Sequence, residues 1–484
     1  MKIARFPISF LAIILMSVFS SCSNSSNTAN QSEPAASADA WEHAAEVLTQ
    51  IVPPTFPERD FNIMEYGALA DGKADNSAAI KEAIEACNQA GGGRVVVPAG
   101  KYLSGPIYLK SNVNLHLEKD ATILFSTNPN DYLPLVYTRW EGVELMNYSP
   151  LIYAFGEKNI AVTGEGTLDG QANETNWWPW KGNKKYGWTE GAPNQTDDDK
   201  RAALFEMAEN NVPVGERKFG EGFYLRPQFV QPYRCENVLI EGVTIINSPM
   251  WILNPVLCTN VTIQKVTVES QGPNSDGCDP ESCKNVLIKD CYFNTGDDCI
   301  AIKSGRNADG RRINVPSENI IIQGCTMANG HGGVVIGSEI SGGVRNVYAE
   351  NCTMNSPLLD RALRIKTSYM RGGVVEDVYL RNIEVGQVAE QVIRVNMFYE
   401  DEGSHIPTVR NIEVKNMTVQ NGGKVGVLLE GYEQSPVENI RLINVKIDQV
   451  EVPYKFSNVK DVLFNDVIIN GEQIEFENMP EVQD

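Results

Sequence analysis

The sequence predicts an all-β chain wound as a single-stranded, right-handed parallel β-helix with an N-terminal capping helix. Three observations predict it. First, a pattern recurs in which Asn or Asp is followed by apolar residues at +1, +3, +6 and +8. It reads NVLIEGVTI from Asn237, NVTIQKVTV from Asn260, NVLIKDCYF from Asn285 and NIIIQGCTM from Asn319. It continues with NVYAENCTM from Asn346, DVYLRNIEV from Asp377, NIEVKNMTV from Asn411, NIRLINVKI from Asn439 and DVLFNDVII from Asp461, with weaker copies at Asn112 and Asn159. Second, the shortest intervals are the 22 residues from Asn439 to Asp461 and the 23 from Asn237 to Asn260, and the rest are longer by variable amounts. That is one fixed unit with loops inserted at its turns. Third, each unit holds two short β-branched runs of period two and no long helix. Such a unit cannot bury its own apolar face, whereas stacked units can. Each position then lies about 4.8 Å from its counterpart in the next coil. The leading Asn suits a ladder of side-chain amides at a bend, because Asn tolerates the left-handed conformation.

Composition narrows the class. The 484 residues carry 41 Lys and Arg against 62 Asp and Glu, a net charge of −21. Nucleic acid demands a basic surface, so it is not an expected partner. At 42% hydrophobic the chain is rich enough to bury a core, which excludes disorder of the whole. P-loop and HExxH motifs are absent from the sequence.

Residues 1–22 read as a lipoprotein signal peptide. Lys2 and Arg5 precede the apolar run from Ile8 to Phe19, which is too short to span a bilayer, and small residues lead to Cys22. Lipidation of Cys22 would be the only membrane attachment. The expected location is the periplasm or outer membrane of a Gram-negative bacterium. Residues 23–52 read as a tether and a short helix. Residues 23–40 lack large apolar side chains; Trp41, Ala45, Leu48 and Val52 then recur at helical spacing until Pro53 and Pro54.

Residues 53–484 are expected to form the catalytic β-helix domain. Asn76–Ala90 places Ile80, Ala83, Ile84 and Cys87 on one helical face, a lid for the N-terminal end of the coils. After Asp461 little chain remains for a C-terminal cap. Residues 171–235 interrupt the repeat and carry Trp177, Trp178, Trp180, Tyr186 and Trp188. These suit either stacking on sugar rings or a hydrophobic cluster of the insertion's own. Cys291, Cys325 and Cys352 occupy the interior +6 slot and read as buried thiols. Cys235, Cys258 and Cys283 share the −2 slot, where a disulfide is the alternative to free thiols.

The chemistry falls in the variable half of the units. PNSDGCDP spans 273–280, NTGDDCIAIKSG 294–305, NGHGGVVIGSE 329–339 and RALRIKT 361–367. Asp276, Asp297, Asp298, His331 and Arg364 fall at nearly one phase of successive coils, so they should share an outer face. Period two turns Leu363 and Ile365 inward and Arg364 and Lys366 outward. Carboxylates at coil spacing push at least one pKa upward. A raised acid beside an ionised carboxylate is the arrangement of glycoside hydrolysis. Arg364 and Lys366 suit an acidic sugar's carboxylate.

NSDG, GDD, GHG and RIK, in this order, resemble the four signature motifs of glycoside hydrolase family 28, the polygalacturonases. The stretch FNIMEYGALADGKADNSAAIKEAIEAC resembles the opening of pectin-acting β-helix proteins of the pectin-lyase-like fold. Ser275 and Ala362 depart mildly from the motifs, where Thr and Gly are commoner. The resemblance implies Asp297 as general acid, Asp276 and Asp298 activating the water, and His331 supporting the acid. It implies Arg364, Lys366 and Tyr399 as substrate-binding residues, inversion at the anomeric carbon, and no cofactor or metal. The expected activity is hydrolysis of α-1,4-galacturonide bonds in polygalacturonate or its oligomers. Exo attack is expected, because the long insertion would close one end of the groove and Arg361, Arg364, Lys366 and Arg371 would attract the polyanion locally. A rhamnogalacturonan- or xylogalacturonan-acting hydrolase is the alternative. A Ca-dependent pectate lyase and a non-catalytic glycan-binding β-helix are remoter ones. The protein is expected to be a monomer that binds pectic oligo- or polysaccharide.

Overall fold

The computed structural model describes residues 35–197, 200–400 and 403–476. The signal peptide, Cys22 and the start of the tether lie outside the described residues. The rest is a parallel β-helix, right-handed as strand-to-strand crossovers are. Equivalent apolar residues stack coil upon coil: Val286, Ile320, Val347, Val378, Ile412, Ile440 and Val462 pair in register through seven successive coils. All seven are buried, as a slot facing the axis requires.

The leading Asn residues behave as their chemistry predicts. From Asn112 to Asp461 they sit at φ of 53–64°. Side-chain amides pass hydrogen bonds from coil to coil: Asn159 to Asn112 (2.9 Å), Asn319 to Asn285 (2.9 Å), Asn346 to Asn319 (3.0 Å) and Asn439 to Asn411 (2.8 Å). Each amide has a donor and an acceptor end, so identical groups stack without conflict.

The unit holds three strands rather than the two expected. Lys284–Lys289 and Tyr292–Thr295 match the repeat pattern, and Ile300–Ile302 adds a third. Third strands form their own six-stranded parallel sheet: Ile300–Ile302, Val334–Ile336, Arg361–Lys366, Gln391–Asn396, Gly423–Glu430 and Val450–Ser457. This sheet carries the chemistry-bearing motifs. All nine described cysteines are buried and free. The disulfide alternative at Cys235, Cys258 and Cys283 is therefore not realised.

Both ends are covered. The helix α1 (Ala35–Gln50) docks on a flank, and α2 (Ser77–Gln89) buries Ala79, Ile80, Ala83, Ile84 and Cys87 on the first coil, as expected of the lid. The buried face of α1 differs from the expected one. Ala44, Val47 and Ile51 pack against Ile321 and Tyr348, while Ala45 is exposed and Val52 is 65% exposed. The helix ends at Gln50, so Val52 lies beyond the helical face. At the other end Glu472–Phe476 turns back antiparallel on Val459–Ile469. Phe476 packs against Phe456 and Phe464, so five residues make the cap for which little room was expected.

The insertion folds on a core of its own. Its helix α3 (Lys200–Glu209) buries Leu204 and Ala208 against Trp140, Phe219, Met250 and Trp251. Trp177 is 2% exposed and lies 4.9 Å from Trp180 and 5.6 Å from Tyr132 between ring centroids. The Trp178 indole donates to the Ser248 carbonyl, and that of Trp188 to the Ala192 carbonyl. Trp177 belongs to the main coil core and Trp178 and Trp180 pack against it, so these three are packed, though on the coil and not on a cluster of the insertion's own. A second segment joins this wall: the hairpin Val136–Trp140 and Val143–Asn147, which pairs with Lys218–Phe219.

Candidate active site

The outer face of the third sheet brings all seven expected site residues together. Parallel pairing does the work. The Gly277 N–H donates to the Asp298 carbonyl and the His331 N–H to the Asp297 carbonyl. Asp276 therefore lies beside Asp298, and His331 beside Asp297, one coil apart. Carboxylate oxygens of Asp276, Asp297 and Asp298 lie within 4.8 Å of one another. Val335 pairs with Arg364, which brings the RIK strand into the same face; Leu363 and Ile365 point into the core as predicted. Gly337 leaves room there, since a Cβ on it would lie 2.1 Å from the Lys366 carbonyl oxygen.

Three carboxylates this close require cations, and the coil supplies them. Lys366 Nζ donates to Asp298 Oδ2 at 2.7 Å, and Arg364 Nη1 approaches Asp298 Oδ1 at 3.5 Å. Lys303 Nζ lies 3.4 Å from Asp276 Oδ2. His331 Nδ1 is 2.9 Å from Asp297 Oδ1. The Tyr399 ring centroid is 5.5 Å from the Arg364 guanidinium and 5.2 Å from Lys366 Nζ. The side chain of Asp297 is 18% exposed, against 4% for Asp276 and 0% for Asp298. Of the trio, Asp297 therefore reaches the cleft.

Protonation follows from these contacts. Burial, then the charges of Asp297 and Asp298, push Asp276 up to about 7 despite the pull of Lys303. Burial would raise Asp297 too. The hydrogen bond and charge of His331, with Lys366 and Lys303, reverse that and hold it well below the usual carboxylate range. His331 is raised by its hydrogen bond to Asp297, against its own desolvation. Of the two, Asp276 therefore holds a proton more readily than Asp297 in the free protein, and His331 keeps its own more tightly than an isolated imidazole.

The converging oxygens invite a cation reading. Lys303, Lys366, Arg364 and His331 already neutralise them, however, so the donor set fits acid/base work better than a divalent ion.

The positive patch is narrower than the sequence implies. Arg371 is 0% exposed and is held by Ser338, Asn307 and Glu400. Arg361 is spent on Gln391, Asp360 and the His331 carbonyl. Internal acceptors claim both guanidinium groups.

The structure adds residues that the sequence reading passed over. Arg226, fully buried in the insertion, donates to the carbonyls of Pro249 and Pro273 and to Asn274 Oδ1, so it fixes the loop that carries Asp276. Half-buried Lys181, on the turn Trp178–Lys181, makes no ion pair within 4 Å among the described residues. It feels both Glu141 and Asp297, and burial lowers its pKa. The sequence signal was slight: Lys181, Lys184 and Lys185 stand together among four tryptophans.

Comparison with known proteins agrees with the geometry. Residues 215–468 match the family described as "Glycosyl hydrolases family 28", and residues 61–117 match "Rhamnogalacturonase A/epimerase, pectate lyase-like". A hyperthermoactive exopolygalacturonase from Thermotoga maritima is 48% identical, with a TM-score of 0.88 over 92% of this chain and 99% of that one. An exo-poly-alpha-D-galacturonosidase from Dickeya chrysanthemi is 29% identical over 85% of this chain and 71% of its own length. An endo-polygalacturonase from Pectobacterium parmentieri is 30% identical over 78% and 85%. The family match contains Asp276, Asp297, Asp298, His331, Arg364 and Lys366 within its bounds, and the chain belongs to glycosyl hydrolases family 28.

Proposed function

We propose that this enzyme hydrolyses α-1,4-galacturonide bonds of polygalacturonate and its oligomers from the non-reducing end. The observation that carries the reading is the carboxylate trio set against Arg364, Lys366 and His331 on one outer face. The names of the relatives support the substrate, and the Thermotoga maritima and Dickeya chrysanthemi proteins support exo attack.

Asp297 reaches the cleft, so it donates the proton to the leaving oxygen. Asp276 and Asp298 are recessed behind it. A recessed carboxylate cannot touch an anomeric carbon, but it can hold and deprotonate a water. That supports inversion. The oxygen separation pulls the other way, since inverting pairs usually stand about 6.5–9.5 Å apart; recess outweighs it here because a nucleophile must first reach the sugar. The reaction needs the proton on Asp297, whereas the free enzyme keeps it on Asp276. A substrate carboxylate docking beside Arg364 adds negative charge to the cleft and favours the transfer. The wall built from 136–147 and the insertion reaches the coils that carry the site, where Gly142 meets Arg306 and Glu339 and Phe205 meets Arg306. With Lys181 as a free cation, it suits a closed pocket for the terminal acidic sugar.

The same reading has the enzyme act as a monomer, held through lipidated Cys22 in the periplasm or at the outer membrane. Polygalacturonate viscosity against reducing-end release tests the mode of attack. Slow viscosity loss with monomer as first product is expected; a rapid fall at low cleavage sinks the pocket argument. Proton NMR of the nascent anomer tests inversion.

A further inference from the structure

We propose that Lys303, held in place by Glu339, is the positioning residue that decides whether the shared proton sits on Asp276 or Asp297. The proposal rests on the acid/base reading above. Lys303 follows the strand Ile300–Ile302 and is 2% exposed, so it cannot meet substrate. Its ammonium lies 3.4 Å from each of three carboxylates: Asp276 Oδ2, Asp279 Oδ1 and Glu339 Oε2. The Trp251 ring centroid is 4.5 Å away and closes a further side.

The charges that act on this group come from several elements, among them Glu281, which interacts with Lys303 and Glu339 and pairs with Arg139 at 3.4 Å. Asp279 faces Asp276 from its own loop, Asp297 and Asp298 from the next coil, and Lys303 and Lys366 from across the face. Lys303 faces Glu339, Asp276, Asp279 and, further off, Asp298. Burial, then the charge of Asp276, raises the Asp279 carboxyl well above the usual range, so it is a poor competitor for the ammonium. That leaves Glu339 and Asp276 to compete for one ammonium. Glu339 is ionised, because Lys303, Arg371 and Arg306 outweigh its burial. Arg306 Nη1 holds it at 3.4 Å and Ser338 Oγ at 3.1 Å. Arg306 in turn reaches Glu400 at 3.2 Å and lies 4.1 Å from the Phe205 ring of α3. Packing of the insertion thus fixes Glu339, Glu339 fixes Lys303, and Lys303 sets how readily Asp276 ionises.

The competition makes opposite predictions for the two partners. In Lys303→Met the cation is gone, so Asp276 holds its proton longer. The acidic limb of kcat/KM moves to higher pH by about one unit, a tenfold loss of rate on that limb. In Glu339→Gln the ammonium falls undivided on Asp276, and the limb moves to lower pH. A packing role would shift neither limb, or both alike. The assay is kcat/KM against pH on trigalacturonate, beside carbon-13 NMR titration of the Asp276 carboxyl in free enzyme. Opposite displacements in both support the proposal; displacements of one sign, or none, overturn it. Should Lys303→Met not fold, an unmoved or upward midpoint in Glu339→Gln overturns it alone. The titration needs no substrate, so a wild-type enzyme inert on trigalacturonate would sink the substrate reading and leave this proposal to the carboxyl midpoints.

Discussion

Replacing Asp297 by Asn separates the acid from everything else in the site. The Asn side chain keeps the volume and the Oδ1 acceptor for the Asp298 N–H, a 3.0 Å bond. It loses the charge that faces His331 Nδ1 at 2.9 Å. The fold should therefore survive while three things change. The His331 midpoint should fall, because its largest upward push is gone. Asp276 should fall below its value of about 7, because the Asp297 charge is its second cause of elevation. Hydrolysis of trigalacturonate should fall about 10²–10⁴-fold, the usual worth of a positioned proton donor, or about 3–5 kcal/mol of barrier. A nitrophenyl galacturonide tests the assignment, since its leaving group departs without a proton. Asp297→Asn should retain most of its activity there. Equal loss on both substrates would refute the argument. So would rescue of Asp276→Asn in place of Asp297→Asn, which would exchange the roles of acid and base.

Two further outcomes follow from the fold and its charges. Asn319 donates to Asn285 at 2.9 Å, accepts from Asn346 at 3.0 Å and sits at φ of 60°. Asn319→Ala should lose both bonds and strain the backbone, about 3 kcal/mol in all; Asn319→Gly should lose less, and equal losses in chemical unfolding would contradict the ladder account. Asp276, raised in the folded state, holds a proton there that the unfolded chain releases, so its contribution to stability falls as pH rises from about 4 to 7. Asp276→Asn removes that slope, and the difference between wild-type and variant unfolding free energies should change by up to about 4 kcal/mol over the window; a difference flat in pH would count against a raised Asp276.

Much of this was legible in the sequence, and the exceptions have physical reasons. The first two strands of each unit repeat over five and more residues with Asn at a fixed place, so period and phase could be read. The third strand is as short as Ile300–Ile302 or Val334–Ile336 and runs straight out of the motif turns. Three apolar residues show no period, so the strand stayed hidden there, whereas the six-residue Arg361–Lys366 showed its alternation. The trio, His331, Arg364 and Lys366 were legible because each stands in a recognisable motif, whereas Tyr399 lies past the last of them and rested on the family resemblance alone. Lys303 and Glu339 stand in the same quoted segments, yet a Lys after a strand reads as a solvated residue. Only the register of three coils buries it. Glu141, Lys181 and Arg226 depend on contacts across many residues of insertion, for which sequence spacing gives no signal. The tryptophans left two readings open, and Trp177, Trp178 and Trp180 fall on the side of packing: large aromatics on an insertion pack first and bind sugar only if surface remains.

Repetition itself explains where the activity lies. Stacking equivalent residues about 4.8 Å apart is harmless for most side chains. Asn gains from it, because an amide both donates and accepts. Cys gains as well, and Cys235, Cys258 and Cys283 stack as buried thiols. Carboxylates are the exception, since each accepts only and repels its copy. The fold meets that exception at the site, where Asp276 and Asp298 take equivalent positions in adjacent coils and Asp297 joins them. Lys303 and Lys366, on the same sheet, neutralise the two recessed acids from within. The outermost acid is left to His331, a group that can release its proton near neutral pH. Lys303 and Lys366 thus serve the recessed pair, from which the proton must leave Asp276, and His331 serves Asp297, which must receive it. On that division, replacing His331 should weaken catalysis by altering when Asp297 can be protonated, while replacing Lys366 should weaken the recessed pair first.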